Sequence, residues 1–233
     1  MSYSFYEVYT IALRACGSMG FPYGADEDAA FMIAWLELNN LQGIRLFARS
    51  IDDFNNKYDG KIVFNNKGND FNLKNTSVLM KGPGIIDYYE SLLKNQNIIE
   101  ATISNCIDPI FFLPLLYKTS PKICFSRMIH FNSDMKMISY QIKNKIIQIG
   151  LSSSEFTIEK NQVKIILSNQ ENFHSSKICD QEISPESIQH NLENALKPRT
   201  VDWEKIKILA QRTYVPESEE SRVKGAGGGD DND

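Results

Sequence analysis

The apolar residues of this chain change their repeat near residue 60, and that change restricts the fold more than any other feature of the sequence. Ahead of it the spacing is helical. Ser4 and Glu7 have the separation of a capping box. In the helix that follows, Phe5, Val8, Ala12, Ala15 and Met19 fall on one stripe. Gly17, Gly20 and Pro22 end it. Asp26 can cap a second helix over 27–39, which is apolar on nearly all sides across 29–36. Asn39, Asn40 and Gly43 close it. A third helix is predicted over 44–57, with Ile44, Phe47, Ile51 and Phe54 on one face.

Beyond residue 60 the pattern turns to short apolar runs and then to strict alternation. Residues 62–64 and Phe71 with Leu73 flank a turn cluster at 65–69, which predicts a hairpin. A short strand is expected over 77–81. Gly82-Pro83-Gly84 then acts as a breaker, read as a tight turn, with an anion at the following helix start as the other reading, and a helix follows over 85–95. The apolar stretch 97–120 predicts a strand near 98–104 and a short helix or second strand near 110–117. Residues 122–168 read as an antiparallel meander. There Ile138, Tyr140 and Ile142 alternate with polar neighbours, Asn144-Lys145 makes a turn, and Phe156 and Ile158 pair with Val163, Ile165 and Leu167. Residues 169–183 form a polar loop. Ser184-Pro185 starts a helix with Ile188, Leu192 and Ala195 on one face. Pro198 ends it, and Asp202 caps a last helix over 203–214.

Helices and strands do not alternate regularly, so the predicted class is α+β rather than a doubly wound sheet. The expected parts are an N-terminal three-helix unit (1–60), an α+β domain with a central mixed or antiparallel sheet and two C-terminal helices (61–214), and a Gly/Asp-rich tail (215–233).

Charge narrows the function classes. The chain carries 25 Lys+Arg against 29 Asp+Glu, a formal net charge of −4. Six of the acids and two of the bases lie in 215–233, so the rest of the chain is neutral overall. There is no basic stripe for phosphate neutralisation, which argues against nucleic-acid binding. No apolar run is long enough to span a bilayer. No secretory leader is visible at the N-terminus, and Cys16, Cys106, Cys124 and Cys179 are scattered without a Cys-x-x-Cys pair. A cytoplasmic protein with free, mostly buried thiols is the expectation.

No catalytic or cofactor motif stands out. His130 ends a strand, His174 lies in the polar loop and His190 faces solvent from its helix; each reads as a residue without a metal or triad partner. The tail is the most unusual segment. Asp230, Asp231, Asp233 and Asn232 are hard oxygen donors of the kind Mg²⁺ or Ca²⁺ takes. Ser221 and Arg222 could hold an anionic group, and Gly225 and Gly227 allow close backbone approach. The candidate catalytic residues are therefore Asp230, Asp231 and Asp233, and the candidate substrate-binding residues Arg222, Ser221, Gly225 and Gly227.

Two stretches resemble a family of uncharacterised, mainly alphaproteobacterial proteins. They are Ala15-Cys16-Gly17-Ser18-Met19-Gly20-Phe21-Pro22-Tyr23-Gly24-Ala25-Asp26, running on to Trp35-Leu36, and Tyr214-Val215-Pro216-Glu217-Ser218-Glu219-Glu220-Ser221-Arg222 with Gly225-Ala226-Gly227 and Asp231-Asn232-Asp233. The resemblance implies no reaction, but it marks the tail as a family feature. The N-terminal unit, with Gly20, Ala29, Leu38, Leu41 and then Gly43-Ile44, also resembles the opening of the non-Rossmann malate/L-lactate dehydrogenases. Those proteins continue with a Ser-His-Gly motif that carries a catalytic histidine. Here Arg45-Leu46-Phe47 follows, so the resemblance implies that the hydride-transfer site is not kept in that form.

The function expected from all this is a cytoplasmic metabolic enzyme, or a subunit of a hetero-oligomeric one, acting on a small polar or anionic metabolite with the tail contributing to a site. The alternative is a non-catalytic ligand-binding or assembly protein whose tail docks into a partner or a second copy. No motif names a cofactor.

Overall fold

The computed structural model describes residues 2–63, 69–152, 158–170 and 180–214. Among them are seven α-helices and one seven-stranded mixed sheet, so the α+β class holds.

The first helix, α1 (Phe5–Ser18), starts where the sequence says. The Ser4 amide donates to Glu7 Oε2 at 2.7 Å, and the Glu7 amide donates to Ser4 Oγ at 3.2 Å. In α2 (Ala25–Leu38) the N-cap is Gly24 at φ +87°, not Asp26. A left-handed backbone there suits glycine, and Asp26 instead takes a hydrogen bond from the Glu27 amide within the first turn. The third helix, α3 (Gly43–Phe54), ends three residues earlier than expected.

The largest departure lies at 77–95. Residues 77–81 are not a strand and Gly82-Pro83-Gly84 is not a breaker: all belong to α4 (Val78–Leu92), capped by Ser77 Oγ accepting from the Leu79 amide. The glycines serve packing rather than turning. A Cβ on Gly82 would lie 2.6 Å from Val78 Cγ1 and 3.1 Å from Leu115 Cδ1, and one on Gly84 would lie 2.6 Å from Ile62 Cδ1. Val78 to Lys81 are all buried because the first turn of α4 is covered by its neighbours, while Asp87 and Ser91 further along the helix are exposed. Four buried residues in a row look the same in a sequence whether helix or strand encloses them.

The expected hairpin is also absent. Ile62 and Val63 are not in a strand, and 64–68 lie outside the described residues. Strand β1 (Phe71–Ser77) instead pairs parallel with β2 (Ile98–Ile107), with a register break between Asn72 and Thr76. After β2 a short 3-10 turn (Pro109–Phe111) leads into α5 (Phe112–Thr119). Strands β3 (Phe125–Phe131), β4 (Met137–Lys143) and β5 (Ile146–Leu151) form the predicted meander. Asn144 and Lys145 both adopt positive φ at its second turn, the backbone that tight hairpins require. Strand β6 (Val163–Ser168) does not fold back on Ile158. It inserts between β2 and β3, antiparallel to both; Phe156 lies outside the described residues. A short β7 (Gln181–Ile183) completes the order β1-β2-β6-β3-β4-β5-β7.

Helix α6 (Pro185–Glu193) is capped by Ser184 as predicted, but Leu192 and Ala195 are exposed. Helix α7 (Thr200–Gln211) is capped by Arg199, with Asp202 in its first turn rather than at the cap. Helices α4 and α5 lie on the sheet, α2 packs on both, and α1, α3 and α7 complete the outer helical layer. The core is continuous from α1 and α2 through α4 and α5 to the sheet residues Met128, Tyr140, Val163 and Ile165.

Candidate functional site

A cavity of about 780 Å³ opens where α3 begins and where β2 and β3 end. That is within the usual range for sites that hold small ligands.

Its helical wall is set by one glycine. A Cβ on Gly43 would stand 2.1 Å from the Ile33 carbonyl oxygen and 3.0 Å from the Glu37 amide nitrogen. Only glycine lets α3 start this close to α2. Glu37 reaches across to accept the Ile44 amide at 3.0 Å, satisfying one open donor of the first turn. Burial raises its carboxyl above the usual range, and the Ile44 hydrogen bond offsets part of that. From this anchored end Arg45 and Arg49, one turn apart, face the cavity. Arg45 donates to Gln42 Oε1 at 2.9 Å, and Arg49 pairs with Asp108 at 3.1 Å.

The sheet supplies the opposite wall. Alternate residues of β3 point toward the helices, so His130 shares the face of Met128. The His130 ring is buried and stacks parallel on Tyr140 at a centroid distance of 5.4 Å. Its Nδ1 lies 2.8 Å from the Phe131 carbonyl oxygen. A carbonyl can only accept, so Nδ1 carries the proton. That leaves Nε2 as the acceptor, and it has no partner among the described residues. Burial lowers the His130 pKa, with the Phe131 hydrogen bond opposing, so the ring is neutral near pH 7. Burial pushes the Tyr140 hydroxyl up to about 12. Lys160 from the approach to β6 also lines the cavity.

Among the described residues, Arg45, Arg49 and Lys160 thus face the same space as a single carboxylate, Asp108. Burial raises the Asp108 carboxyl and Arg49 draws it back. The cavity is rimmed by unusual backbone: Asn40, Gln42, Asn75, Asp108 and Met135 all line it and all have φ between 50° and 60°. Side chains rarely adopt that region, and residues held there gather at functional sites.

The tail residues Ser221, Arg222, Gly225, Gly227, Asp230, Asp231 and Asp233 lie outside the described residues, as do His174 and Cys179. His190 is exposed on α6 as expected. Cys16 and Cys106 are buried free thiols and Cys124 is partly buried. His130 is the cavity residue that the sequence reading left without a role. Its signal was there, since an imidazole on the core face of a strand must find a partner or a ligand. Among the described residues no group of three or more His, Cys, Asp or Glu side chains gathers to hold a metal ion, and no helix is long and apolar enough to cross a membrane.

No curated protein sequence matches the chain. Solved structures match its fold over nearly its whole length. Malate dehydrogenase from Entamoeba histolytica aligns with a TM-score of 0.66 at 8% identity, over 93% of this chain and 99% of that one. Malate dehydrogenase from Pyrococcus horikoshii gives 0.65 at 10% identity, over 91% and 95%. Sulfolactate dehydrogenase from Methanocaldococcus jannaschii gives 0.62 at 9% identity, over 91% and 97%. At such identities the likeness is one of fold alone. It covers the N-terminal helices and the sheet alike. In sequence, residues 3–78, which run from α1 to the end of β1 and the first residue of α4, are similar to a family described as "Protein of unknown function (DUF3726)".

Proposed function

We propose that this chain is a metabolic enzyme, or a subunit of one, that binds a small hydroxy- or oxo-carboxylate in the cavity beside α3. The observation that carries this is the gathering of three cationic side chains, Arg45, Arg49 and Lys160, with the neutral imidazole of His130 in the lining of one cavity. Arg45, Arg49 and Lys160 suit a carboxylate. The His130 imidazole in the wall would act on a hydroxyl only after a side-chain shift that uncovers Nε2, which is buried. Malate and sulfolactate, the compounds in the names of the structural neighbours, each combine a carboxylate with a hydroxyl.

The reading includes the tail as a second contributor. Arg222, Ser221, Gly225 and Gly227 would meet the anionic end of the ligand, and Asp230, Asp231 and Asp233 would supply acid–base groups or hold a divalent cation. A cytoplasmic setting fits such a metabolite.

One observation favours a non-catalytic alternative, a ligand-binding or assembly protein. Where the resembled dehydrogenases carry a histidine after Gly-Ile, this chain carries Arg45-Leu46-Phe47, and Phe47 is buried in the core.

The test is thermal shift and calorimetry with L-malate and L-lactate on the full chain, on Arg49→Gln and on a truncation ending at Tyr214. A ligand that binds only the native state raises the midpoint by mass action. Malate should stabilise the full chain and lose at least tenfold in affinity in Arg49→Gln. Loss in the truncation as well would support the tail's part. Equal affinity in Arg49→Gln and the parent would sink the cavity reading. Binding without turnover, with either nicotinamide cofactor added, would move the conclusion to the alternative.

A further inference from the structure

A second, smaller cavity lies on the other side of the β1 irregularity. It measures about 190 Å³ and includes Asp59, Lys61, Asn72, Lys74 and Lys81 in its lining. Its central feature is a buried lysine. The Lys81 side chain is only 7% exposed and sits in the first turn of α4. The positive end of a helix is a poor place for an ammonium group, and burial removes the water that would offset it. Such a lysine must be held by negative charge. Among the described residues one carboxylate does this: Asp59 Oδ2 accepts from Lys81 Nζ at 2.8 Å.

That single pairing leaves the site electrostatically unfinished. The Asp59 side chain is 53% exposed, and its other oxygen accepts the Lys61 amide at 3.1 Å. An ammonium has three donors, and one acceptor is accounted for. Lys61 and Lys74 bring two more cations to the same lining, and neither forms an ion pair with a described carboxylate. The chain is shaped to put Lys74 there. Lys74 and Asn75 both take positive φ where the β1–β2 register breaks, and the Lys74 amide is tied to Asn72 Oδ1 at 2.9 Å.

We infer that this pocket is an anion site that takes one tetrahedral oxyanion, phosphate or sulfate in size, on Lys81, Lys74 and Lys61. Three cations against one carboxylate leave a surplus of two positive charges, and a doubly charged oxyanion balances it. The cavity has room for one such group and not for a dinucleotide. The site is separate from the carboxylate cavity proposed above and does not depend on it.

The experiment is calorimetric titration of the full chain with inorganic phosphate and with ribose 5-phosphate. The variants are Lys74→Ala, Lys81→Gln, Asp59→Asn and the double change Arg45→Gln/Arg49→Gln. Phosphate should bind the parent with a millimolar or lower Kd. Lys74→Ala changes an exposed side chain and folds normally, so its expected loss of at least tenfold in affinity is the decisive reading; Lys81→Gln should lose more. Asp59→Asn removes the competing carboxylate and should bind phosphate severalfold tighter, which a purely structural ion pair would not produce. The double arginine variant should bind it as the parent does. Tighter binding of ribose 5-phosphate than of phosphate would identify an esterified phosphate as the source; equal or weaker binding would identify the free anion. No phosphate binding to the parent at about 10 mM, unchanged affinity in Lys74→Ala, or loss confined to the arginine variant would each overturn the proposal.

Discussion

The two nitrogens of His130 have different fates, and that difference sets its chemistry. Nδ1 is committed to the Phe131 carbonyl, while Nε2 is buried without a described partner. A buried acceptor left unmade costs about 1–3 kcal/mol. The same burial makes stability depend on pH. The folded-state pKa lies below the unfolded value of about 6.5, so below that pH the unfolded chain binds a proton the folded chain does not. Stability should therefore be full above about pH 7 and decline as pH falls through 6.5 toward the folded value. Urea midpoints at pH 7.5 and 5.5 should show this decline, and His130→Gln should flatten it. An equal decline in both proteins would assign it to other groups. The sequence shows His130 at a strand end. It does not show that Tyr140 stacks beneath it, because that contact depends on the β3–β4 register.

At the scale of the element, the start of α3 depends on a contact no pattern of hydrophobicity encodes. The helix itself is legible: Ile44, Phe47, Ile51 and Phe54 are all buried, as their spacing predicts. The reason for Gly43 is not legible, since it is the Ile33 carbonyl of another helix pressing where a side chain would begin. Gly43→Ala should destabilise the protein by about 3 kcal/mol and weaken ligand binding through displaced arginines, as read by chemical melts and malate titration. A stability loss under about 0.5 kcal/mol would show that the helices separate easily. The misread of α4 has the same origin. Val78 to Lys81 are buried because α5 and the sheet enclose them, and Gly82 fits the approach of Leu115. Glycines that punctuate a sequence and glycines that admit a neighbouring helix are the same letter. The tail, where the sequence concentrates its candidate site residues, lies outside the described residues.

At the scale of the molecule, the helical layer draws on both ends of the chain. Tyr3 pairs backbone to backbone with Leu196 and its ring lies 4.6 Å from Trp203. Helix α7 packs on α1 and α3, Lys205 pairs with Asp52 at 2.7 Å, and Arg14 stacks on and hydrogen-bonds Tyr214. A fragment of residues 1–60 should therefore show little helix by circular dichroism, and a peptide of residues 180–214 added in trans should restore part of it. A fully helical fragment would show that α1–α3 need no seal. The central place of β6 has its own bearing on how the protein is made. During synthesis β2 leaves the ribosome more than 50 residues before its antiparallel partner, and β3 waits for about 30 residues on its other side. Both edges stay open to other chains through that interval. The yield of native protein should then depend less on final stability than on how quickly translation reaches residue 168, and on whether a chaperone covers the gap meanwhile.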